Sequence, residues 1–391
     1  MENSTLGSFA VDNFSVSASS VFKSLTQLDY FAEQISCEYW NIPFQNASTQ
    51  SLLAIRLDKI NHPNCVELSG NKLFKLLPNL SADMINLLGD GESRSVISFG
   101  GQWSNSIWSL SAAIAKLNMQ LHVIVRGERK PALTQTLLDA QACGARLHFV
   151  PRSYYDHLAY TLEDGSSRFI KDISRVTGAN VVQVIPSGGS NALGALGAAR
   201  LGSYLARKFP MTDIYCAAGT GGFSLGLALG VFLESLKNDG VSKLSKQAGG
   251  PHGKDPKIFS LCVAEDSKNT LARSQQLLRN CIDLFKKRPE LLESFGVDQR
   301  QLEQFNWDVN ILPLQFLDQT SSFKSHKNEL DDFHASLETI NQEPIDSIYM
   351  MPLSHYIYKN VDISSISRKR PVLMLHTGGQ QGARSRDRSF I

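Results

Sequence analysis

The sequence lacks the features that mark several large classes of protein. Its formal net charge is +2 over 391 residues, so no overall field favours a nucleic acid or an anionic membrane. The longest apolar stretch, Leu225 to Leu233, is about half as long as a membrane-spanning helix. The N-terminal segment has neither the basic region nor the continuous apolar core of a signal peptide. These absences predict a cytoplasmic protein with no nucleic-acid or membrane partner.

The cysteines give no sign of a disulfide framework or of a metal centre. There are six, they lie far apart, and no C-x-x-C pair or histidine at ligand spacing accompanies them. Cys216 and Cys262 fall inside apolar runs and are expected to be small core residues. We therefore expect a reducing compartment and no bound metal ion.

What the sequence does have is a regular alternation of apolar runs and amphipathic segments from about residue 95 onward. Hydrophobic residues make up 42% of the chain and charged residues 19%, as in a soluble globular protein, and the length suits about two domains. "SVISFGG" precedes "SNSIWSLSAAIAKLN", and "DIYCAAG" precedes "FSLGLALGVFLESL". Continuous apolar strands joined by helices indicate parallel strands covered on both faces. The sequence thus predicts an α/β fold with doubly wound, mostly parallel sheets.

Four glycine-rich turns lie where predicted strands end, which is where sheets of this class bind ligands. They are "AAGTGG", "SFGGQWSNS", "IPSGGSNALGALG" and "LHTGGQQG". The first could cradle a phosphate with successive N–H groups at a helix N-terminus, although neither a Walker A nor a G-x-G-x-x-G pattern is present. Taken singly, each turn has an ordinary alternative. It could join a strand to a helix without a ligand, or its Ser and Asn residues (Ser104, Asn105, Ser190, Asn191) could be N-caps.

Three ionisable side chains could carry chemistry. Lys72 and Lys75 follow a Ser-Gly-Asn turn, and on their own both are explained as solvated residues at the start of a helix. His376 stands at the end of a predicted strand, where it could be a general base but is more simply a satisfied strand-end histidine.

Six segments, taken together and in their order along the chain, indicate more than any of them does alone. They are "RLDKI", "SGNKLFKL", "SFGGQWSN", "IPSGGSNALGALG", "AAGTGGFSLGLALG" and "LHTGGQQG", and they extend from about residue 50 to residue 385. This set resembles the pyridoxal-phosphate enzymes of the tryptophan-synthase-β-like fold, and within them the 1-aminocyclopropane-1-carboxylate deaminase/D-cysteine desulfhydrase family. The resemblance implies a larger cofactor-binding domain (residues 1–79 and 199–391) and a smaller domain (residues 80–198). It also implies pyridoxal 5'-phosphate as cofactor, a small amino-acid substrate and a homodimer.

By this resemblance, Lys72 would form the Schiff base with the cofactor, because a neutral amine attacks the aldehyde and later moves a proton at Cα. Lys75 would face solvent or the domain interface. Asn105 would hydrogen-bond the 3′-oxygen of the cofactor and line the substrate site. Gln102 and Ser104 would bind the substrate carboxylate at a helix N-terminus, and Ser104 would also take part in catalysis.

The same resemblance assigns the cofactor phosphate to a backbone loop. Gly219, Thr220, Gly221 and Gly222 would bind it through their N–H groups, with help from the Thr220 hydroxyl. Thr377 would meet the pyridine nitrogen. A neutral hydroxyl at this position makes a weaker electron sink than a carboxylate, which suits elimination chemistry.

The chain departs from the family pattern at two places. Members usually have a catalytic tyrosine followed by Thr-Gly-Lys or Glu-Gly-Lys. Tyr349 matches the tyrosine, but Met350, Met351 and Pro352 replace the run. Phe323 aligns with a second active-site tyrosine and would contact the substrate. Ring opening of 1-aminocyclopropane-1-carboxylate depends on tyrosine proton transfers, so these departures favour D-cysteine-like desulfhydration.

The sequence therefore predicts a pyridoxal-phosphate-dependent lyase or deaminase that releases a 2-oxo acid and ammonia from a small amino acid. Its chemistry would be like that of a D-cysteine desulfhydrase or of a 1-aminocyclopropane-1-carboxylate deaminase. Two alternatives stay open. One is a β-replacement synthase or racemase re-purposed from this family, and the other is a cofactor-binding protein with weakened catalysis.

Overall fold

The computed structural model describes residues 18–43, 49–80, 95–163, 167–179, 181–239, 255–305, 307–319, 327–362 and 370–378. The strands in these ranges are β1 (Ser36–Pro43), β2 (Thr49–Arg56), β3 (Asn61–His62), β4 (Cys65–Ser69), β5 (Ser95–Gly100), β6 (Gln120–Arg126), β7 (Arg146–Val150), β8 (Val181–Ile185), β9 (Asp213–Ala218), β10 (Lys257–Cys262), β11 (Leu314–Asp318) and β12 (Val372–His376).

The α-helices in the same ranges are α1 (Ala18–Glu33), α2 (Gly70–Leu76), α3 (Asn105–Lys116), α4 (Gln135–Ala142), α5 (Arg152–Glu163), α6 (Ser167–Thr177), α7 (Ala192–Lys208), α8 (Gly222–Asp239), α9 (Ser267–Lys287), α10 (Pro289–Glu293), α11 (Gln299–Glu303), α12 (Lys327–Asn341) and α13 (Met350–Asn360).

The described strands form two main sheets and one small hairpin. The larger sheet has the order β1-β2-β12-β9-β10-β11, and the smaller has the order β7-β6-β5-β8. Within them only β1 and β2 pair antiparallel, while the remaining pairs are parallel. This confirms the α/β fold class with mostly parallel sheets. The smaller sheet lies within residues 80–198 and the larger sheet outside them, while the two-domain division itself stays a prediction.

Two long helices, α7 and α8, approach each other closely through small residues. A β-carbon added to Gly226 of α8 would meet the carbonyl oxygen of Ala195 and would lie 2.5 Å from the β-carbon of Ala198, both on α7. This contact leaves no room for a larger side chain. Because α8 begins at Gly222, the packing also fixes the position of the loop that precedes this helix.

Helix α7 supports the short helix α2 in the same way. A β-carbon on Gly197 would strike the carbonyl oxygen of Phe74, and one on Gly194 would lie 3.1 Å from the carbonyl oxygen of Lys75. The glycines of "SNALGALG" therefore bring the backbone of α7 onto the backbone of the helix that carries both lysines.

Cys216 and Cys262 are buried in the core, as predicted, and all six cysteines are free thiols. Among the described helices, none is both long and apolar enough to cross a membrane.

Candidate active site

The start of α2 and the end of β12 are joined through their backbones. Ser69 precedes α2 in an extended conformation, and Gly70 begins the helix with φ +58°. The N–H of Asn71 donates to the carbonyl oxygen of Thr377 at 3.0 Å. Since a β-carbon on Gly70 would lie 2.5 Å from that same oxygen, only glycine permits this approach. The contact brings Lys72 and Thr377 to one place.

Lys72 is half-buried at the first turn of α2, and its ammonium donates to Oδ1 of Asn71 at 2.7 Å. Burial lowers the pKa of Lys72 to about 8, and the carboxylate of Asp346 opposes this shift. A larger share of this amine is neutral near physiological pH than of an ordinary lysine, and only a neutral amine attacks a carbonyl.

Lys75 does not face solvent, which is one of the two positions expected for it, while a place at the domain interface stays a prediction. Its side chain is only 4% exposed, because α7 covers this part of α2. A β-carbon on Gly188 would lie 3.3 Å from Nζ of Lys75 and 3.2 Å from Oγ1 of Thr220, so the amine lies beside the glycine-rich loop. Burial, and next the charge of Lys72, place the pKa of Lys75 well below its ordinary value.

Residues 219–222 connect β9 to α8 and form a cradle for an anion. Gly221 has φ +77°, and a β-carbon on Gly222 would lie 2.7 Å from Oγ of Ser190. The hydroxyls of Thr220 and Ser190 hydrogen-bond each other. Successive N–H groups at the N-terminus of a long helix, with the Lys75 amine beside them, suit a phosphate.

The turn after β5 contains a buried polar atom, Oδ1 of Asn105, that has no hydrogen-bond partner among the described residues. Asn105, the first residue of α3, is 4% exposed, and its Oδ1 accepts no hydrogen bond from any of the described residues. Ser104 is the N-cap of α3, but its side chain makes no capping bond. Simple capping therefore does not explain this turn, and an orphaned buried oxygen fits a ligand hydroxyl better. In contrast, Asn191 does cap α7, through the N–H of Gly194.

Gln102 lies in the same turn but is held by a neighbouring segment. Its Nε2 donates to the carbonyl oxygen of Glu128 at 3.2 Å, and its own carbonyl oxygen accepts from the hydroxyl of Thr134. These bonds tie the turn after β5 to the segments that follow β6, at one edge of the smaller sheet.

Tyr349 stands beside the anion cradle. A β-carbon on Gly219 would lie 3.2 Å from the hydroxyl of Tyr349. Burial raises the pKa of Tyr349 to about 12, with a further contribution from Asp346, so the phenol keeps its proton at neutral pH. Oδ1 of Asp346 accepts from the N–H groups of Ile348 and Tyr349, both at 2.6 Å. Sequence reasoning missed Asp346, although an Asp two and three residues before those N–H groups is typical of a turn.

His376 is a structural histidine, the simpler of its two interpretations. It is 2% exposed, its Nδ1 lies 3.2 Å from Oδ1 of Asp58, and its ring packs on Trp40. Arg56 donates to both carboxylate oxygens of Asp58 at 2.8 and 2.6 Å. Burial lowers the pKa of His376 to about 4, so it is neutral and is committed to this cluster.

The chain resembles known proteins both in sequence and in fold. No family model matches the chain. The chain is 30% identical over 210 residues to the bifunctional D-cysteine desulfhydrase/1-aminocyclopropane-1-carboxylate deaminase, mitochondrial, of Arabidopsis thaliana, an alignment that covers 51% of this chain and 49% of the relative. The chain thus matches about half the length of that relative. The resemblance to the 1-aminocyclopropane-1-carboxylate deaminase/D-cysteine desulfhydrase family is confirmed.

A solved structure extends the likeness over nearly the whole fold. The crystal structure of an ACC deaminase homologue matches with a TM-score of 0.57 and 20% identity, covering 93% of this chain and 95% of that one. At this identity the match concerns the fold alone, which is that of the ACC deaminase homologue.

Of the residues that depart from the family pattern, only some lie in the part of the chain that the structure describes. Met350 and Met351 are buried in the core that α13 forms with the larger sheet. Their alignment with the polar residues of the family stays a prediction. Phe323 lies outside the described residues, and its alignment with a family tyrosine stays a prediction.

Proposed function

We propose that this protein is a pyridoxal-phosphate-dependent lyase or deaminase acting on a small amino acid, with Lys72 as the Schiff-base residue. The observation that carries the proposal is that the helix of Lys72, a lysine of lowered pKa, also places Lys75 beside a glycine-rich anion cradle. The orphaned oxygen of Asn105 is a further polar group available to a ligand. The family resemblance supports it.

Each polar group of the cofactor would have a candidate partner among the described residues. Gly219, Thr220, Gly221 and Gly222 would hold the phosphate together with the amine of Lys75, which lies next to the cradle and which the charge of a bound phosphate would keep protonated. The side chain of Asn105 would bind the ring hydroxyl, and that of Thr377 would bind the pyridine nitrogen. When bound, the cofactor withdraws electrons from Cα of the amino acid, which makes loss of a proton and of a β-substituent possible.

The residues of the chain would then divide the proton transfers between them. Lys72, with a pKa of about 8, can accept the proton from Cα once its amine is free. Tyr349, with a pKa of about 12, holds a proton that it can donate to the departing group. Gln102, Ser104 and the N-terminus of α3 would orient the substrate carboxylate, with Ser104 assisting catalysis.

For the substrate, we favour D-cysteine-like desulfhydration over ring opening of 1-aminocyclopropane-1-carboxylate, and the products would be a 2-oxo acid and ammonia. Among the aligned tyrosine positions only Tyr349 retains a phenol, since Phe323 replaces the other. Ring opening depends on proton transfers by tyrosines, so the loss of one phenol bears more on ring opening than on elimination of a thiol. We further propose a cytoplasmic homodimer.

The decisive experiment begins with the visible absorption band of a lysine-bound cofactor. Wild type supplemented with pyridoxal phosphate should show the band, Lys72→Ala should lose it, and Lys116→Ala, at an exposed lysine on α3, should keep it. A panel of D- and L-amino acids and 1-aminocyclopropane-1-carboxylate is then assayed for 2-oxo acid and sulfide. A wild type without the band would refute the proposal.

A second candidate is a β-replacement synthase, a racemase or a weakened cofactor-binding protein of the same origin. The buried methionines after Tyr349 favour it, because they remove polar groups that the family uses there. A cofactor band without turnover on the whole panel would point to this candidate.

A further inference from the structure

A reciprocal pair of amides lies directly behind the lysine helix. Asn79 is fully buried in the 3₁₀ turn Leu77–Leu80 that follows α2. Nδ2 of Asn191 donates to Oδ1 of Asn79 at 2.8 Å, and Nδ2 of Asn79 donates to Oδ1 of Asn191 at 3.2 Å. Buried amides that bond each other in both directions fix their relative position closely.

Each of the two amides also caps a helix. Nδ2 of Asn79 donates to the carbonyl oxygen of Lys75 at 2.8 Å, which satisfies one of the last carbonyl groups of α2. Oδ1 of Asn191 accepts from the N–H of Gly194 at 3.0 Å in the first turn of α7. The pair therefore fastens the end of the lysine helix to the beginning of α7.

Both residues of the amide pair are connected to the anion cradle through a neighbouring residue. Ser190, which precedes Asn191, hydrogen-bonds Thr220 of the cradle. Lys75, whose carbonyl Asn79 caps, has its amine beside Gly188 and Thr220. The amide pair thus sets the separation between the Lys75 amine and the loop at residues 219–222.

We propose that Asn79 is a positioning residue for phosphate recognition, acting through Asn191 and Lys75 without touching the ligand. The inference rests on the proposed function, in which Lys75 and the cradle bind the cofactor phosphate. The consequence is specific. Loss of the Asn79 amide weakens the contribution of the phosphate to binding affinity and leaves the contribution of the pyridine ring unchanged.

The test compares pyridoxal phosphate with pyridoxal, which lacks the phosphate, as ligands of the full chain freed of cofactor. Equilibrium titration gives the affinity for each ligand in wild type and in Asn79→Ala. We expect the preference for pyridoxal phosphate over pyridoxal to fall about tenfold in Asn79→Ala, a change of ~1.4 kcal/mol. The affinity for pyridoxal itself should change little.

Asn341 offers a matched control in another part of the fold. Its Nδ2 donates to the carbonyl oxygens of Leu337 and Asn41 at 2.9 and 2.8 Å, and its Oδ1 accepts from the N–H of Asn41 at 2.9 Å. Asn341→Ala therefore removes the same type of helix-capping amide from α12. It should lower thermal stability and leave the preference between the two ligands unchanged.

Three outcomes would overturn the inference. Asn79→Ala could weaken the binding of both ligands in equal proportion, or Asn341→Ala could change the preference between the ligands as much as Asn79→Ala does. A wild type that does not prefer pyridoxal phosphate would refute the proposed function as well, and this is visible before any substitution.

If Asn79→Ala does not fold, Asn191→Ser replaces it, because serine keeps the N-cap but lacks the amide donor. The same selective loss is expected, and an unchanged preference would contradict the proposal.

Discussion

The backbone N–H of Asn71 donates to the carbonyl oxygen of Thr377 at 3.0 Å, although the two residues lie near opposite ends of the chain. This bond joins the helix that carries Lys72 to the end of β12. The candidate Schiff-base lysine and the candidate partner of the pyridine nitrogen therefore depend on one backbone contact, and Gly70 is what permits it.

Gly70→Ala should destabilise the protein and weaken cofactor binding. Gly70 has φ +58°, and a β-carbon there would lie 2.5 Å from the carbonyl oxygen of Thr377. Left-handed backbone costs alanine ~1–2 kcal/mol, and forcing an atom into a packed site costs roughly 1–3 kcal/mol more. Chemical denaturation of wild type and of Gly70→Ala measures the sum of these two costs.

Gly178→Ala separates the two costs. Gly178 has φ +65° with nothing within 4 Å of an added β-carbon, so this variant should lose only ~1–2 kcal/mol. Equal losses in the two variants would show that the contact with Thr377 does not limit residue 70.

The stability of the cofactor-free protein should rise with pH because of Lys72. Its pKa is about 8 in the folded chain and 10.5 ordinarily, so between these values the unfolded chain binds more protons than the folded one. The free energy of unfolding then increases with pH in this window. Between pH 8 and 10, the free energy of unfolding of wild type should rise by ~1–2 kcal/mol relative to that of Lys72→Met. The range ends at pH 10 because ordinary tyrosines begin to titrate there. Parallel curves for the two proteins would contradict the lowered pKa.

Tyr349→Phe should reduce turnover while leaving cofactor binding intact. The phenol lies beside Gly219 and is the proton donor of the proposed reaction, and loss of such a group lowers kcat roughly 10²- to 10⁴-fold. Tyr358→Phe, on the helix that Tyr349 precedes, is the matched control and should keep normal turnover. An unchanged kcat in Tyr349→Phe would exclude the phenol from the chemistry.

Asp346→Asn should lower the pKa of Lys72 further. The carboxylate of Asp346 raises that pKa against the effect of burial, and asparagine removes the charge while keeping an acceptor for the N–H groups of Ile348 and Tyr349. The pH midpoint for association of pyridoxal phosphate should shift downward. Asp332→Asn, at an exposed residue of α12, should not move it, and an upward shift in Asp346→Asn would contradict the electrostatic account.

Some of these relationships could be predicted from the sequence because they are local. Alternating apolar strands and amphipathic helices predicted the parallel sheets, since the pattern that buries a strand on both faces is continuous along the chain. The glycine-rich turns were recognised because a loop that ends a strand and begins a helix needs small residues at adjacent positions.

The burial of Lys75 could not be predicted in this way. Within α2 its position differs from that of Lys72 by less than one helical turn, and nothing in the spacing says which side of the helix will be covered. The cover comes from α7, whose Gly194 and Gly197 allow its backbone onto α2. That contact depends on residues more than a hundred positions away, as does the pairing of Asn79 with Asn191.

The central claim is that Lys72 carries the cofactor. It is tested most directly by loading the full chain with pyridoxal phosphate, reducing it with borohydride and mapping the modified peptide by mass spectrometry. The account predicts a single pyridoxyl adduct on Lys72, with Lys75 unmodified. An adduct on Lys75 or on another lysine in place of Lys72, or no adduct at all, would contradict it.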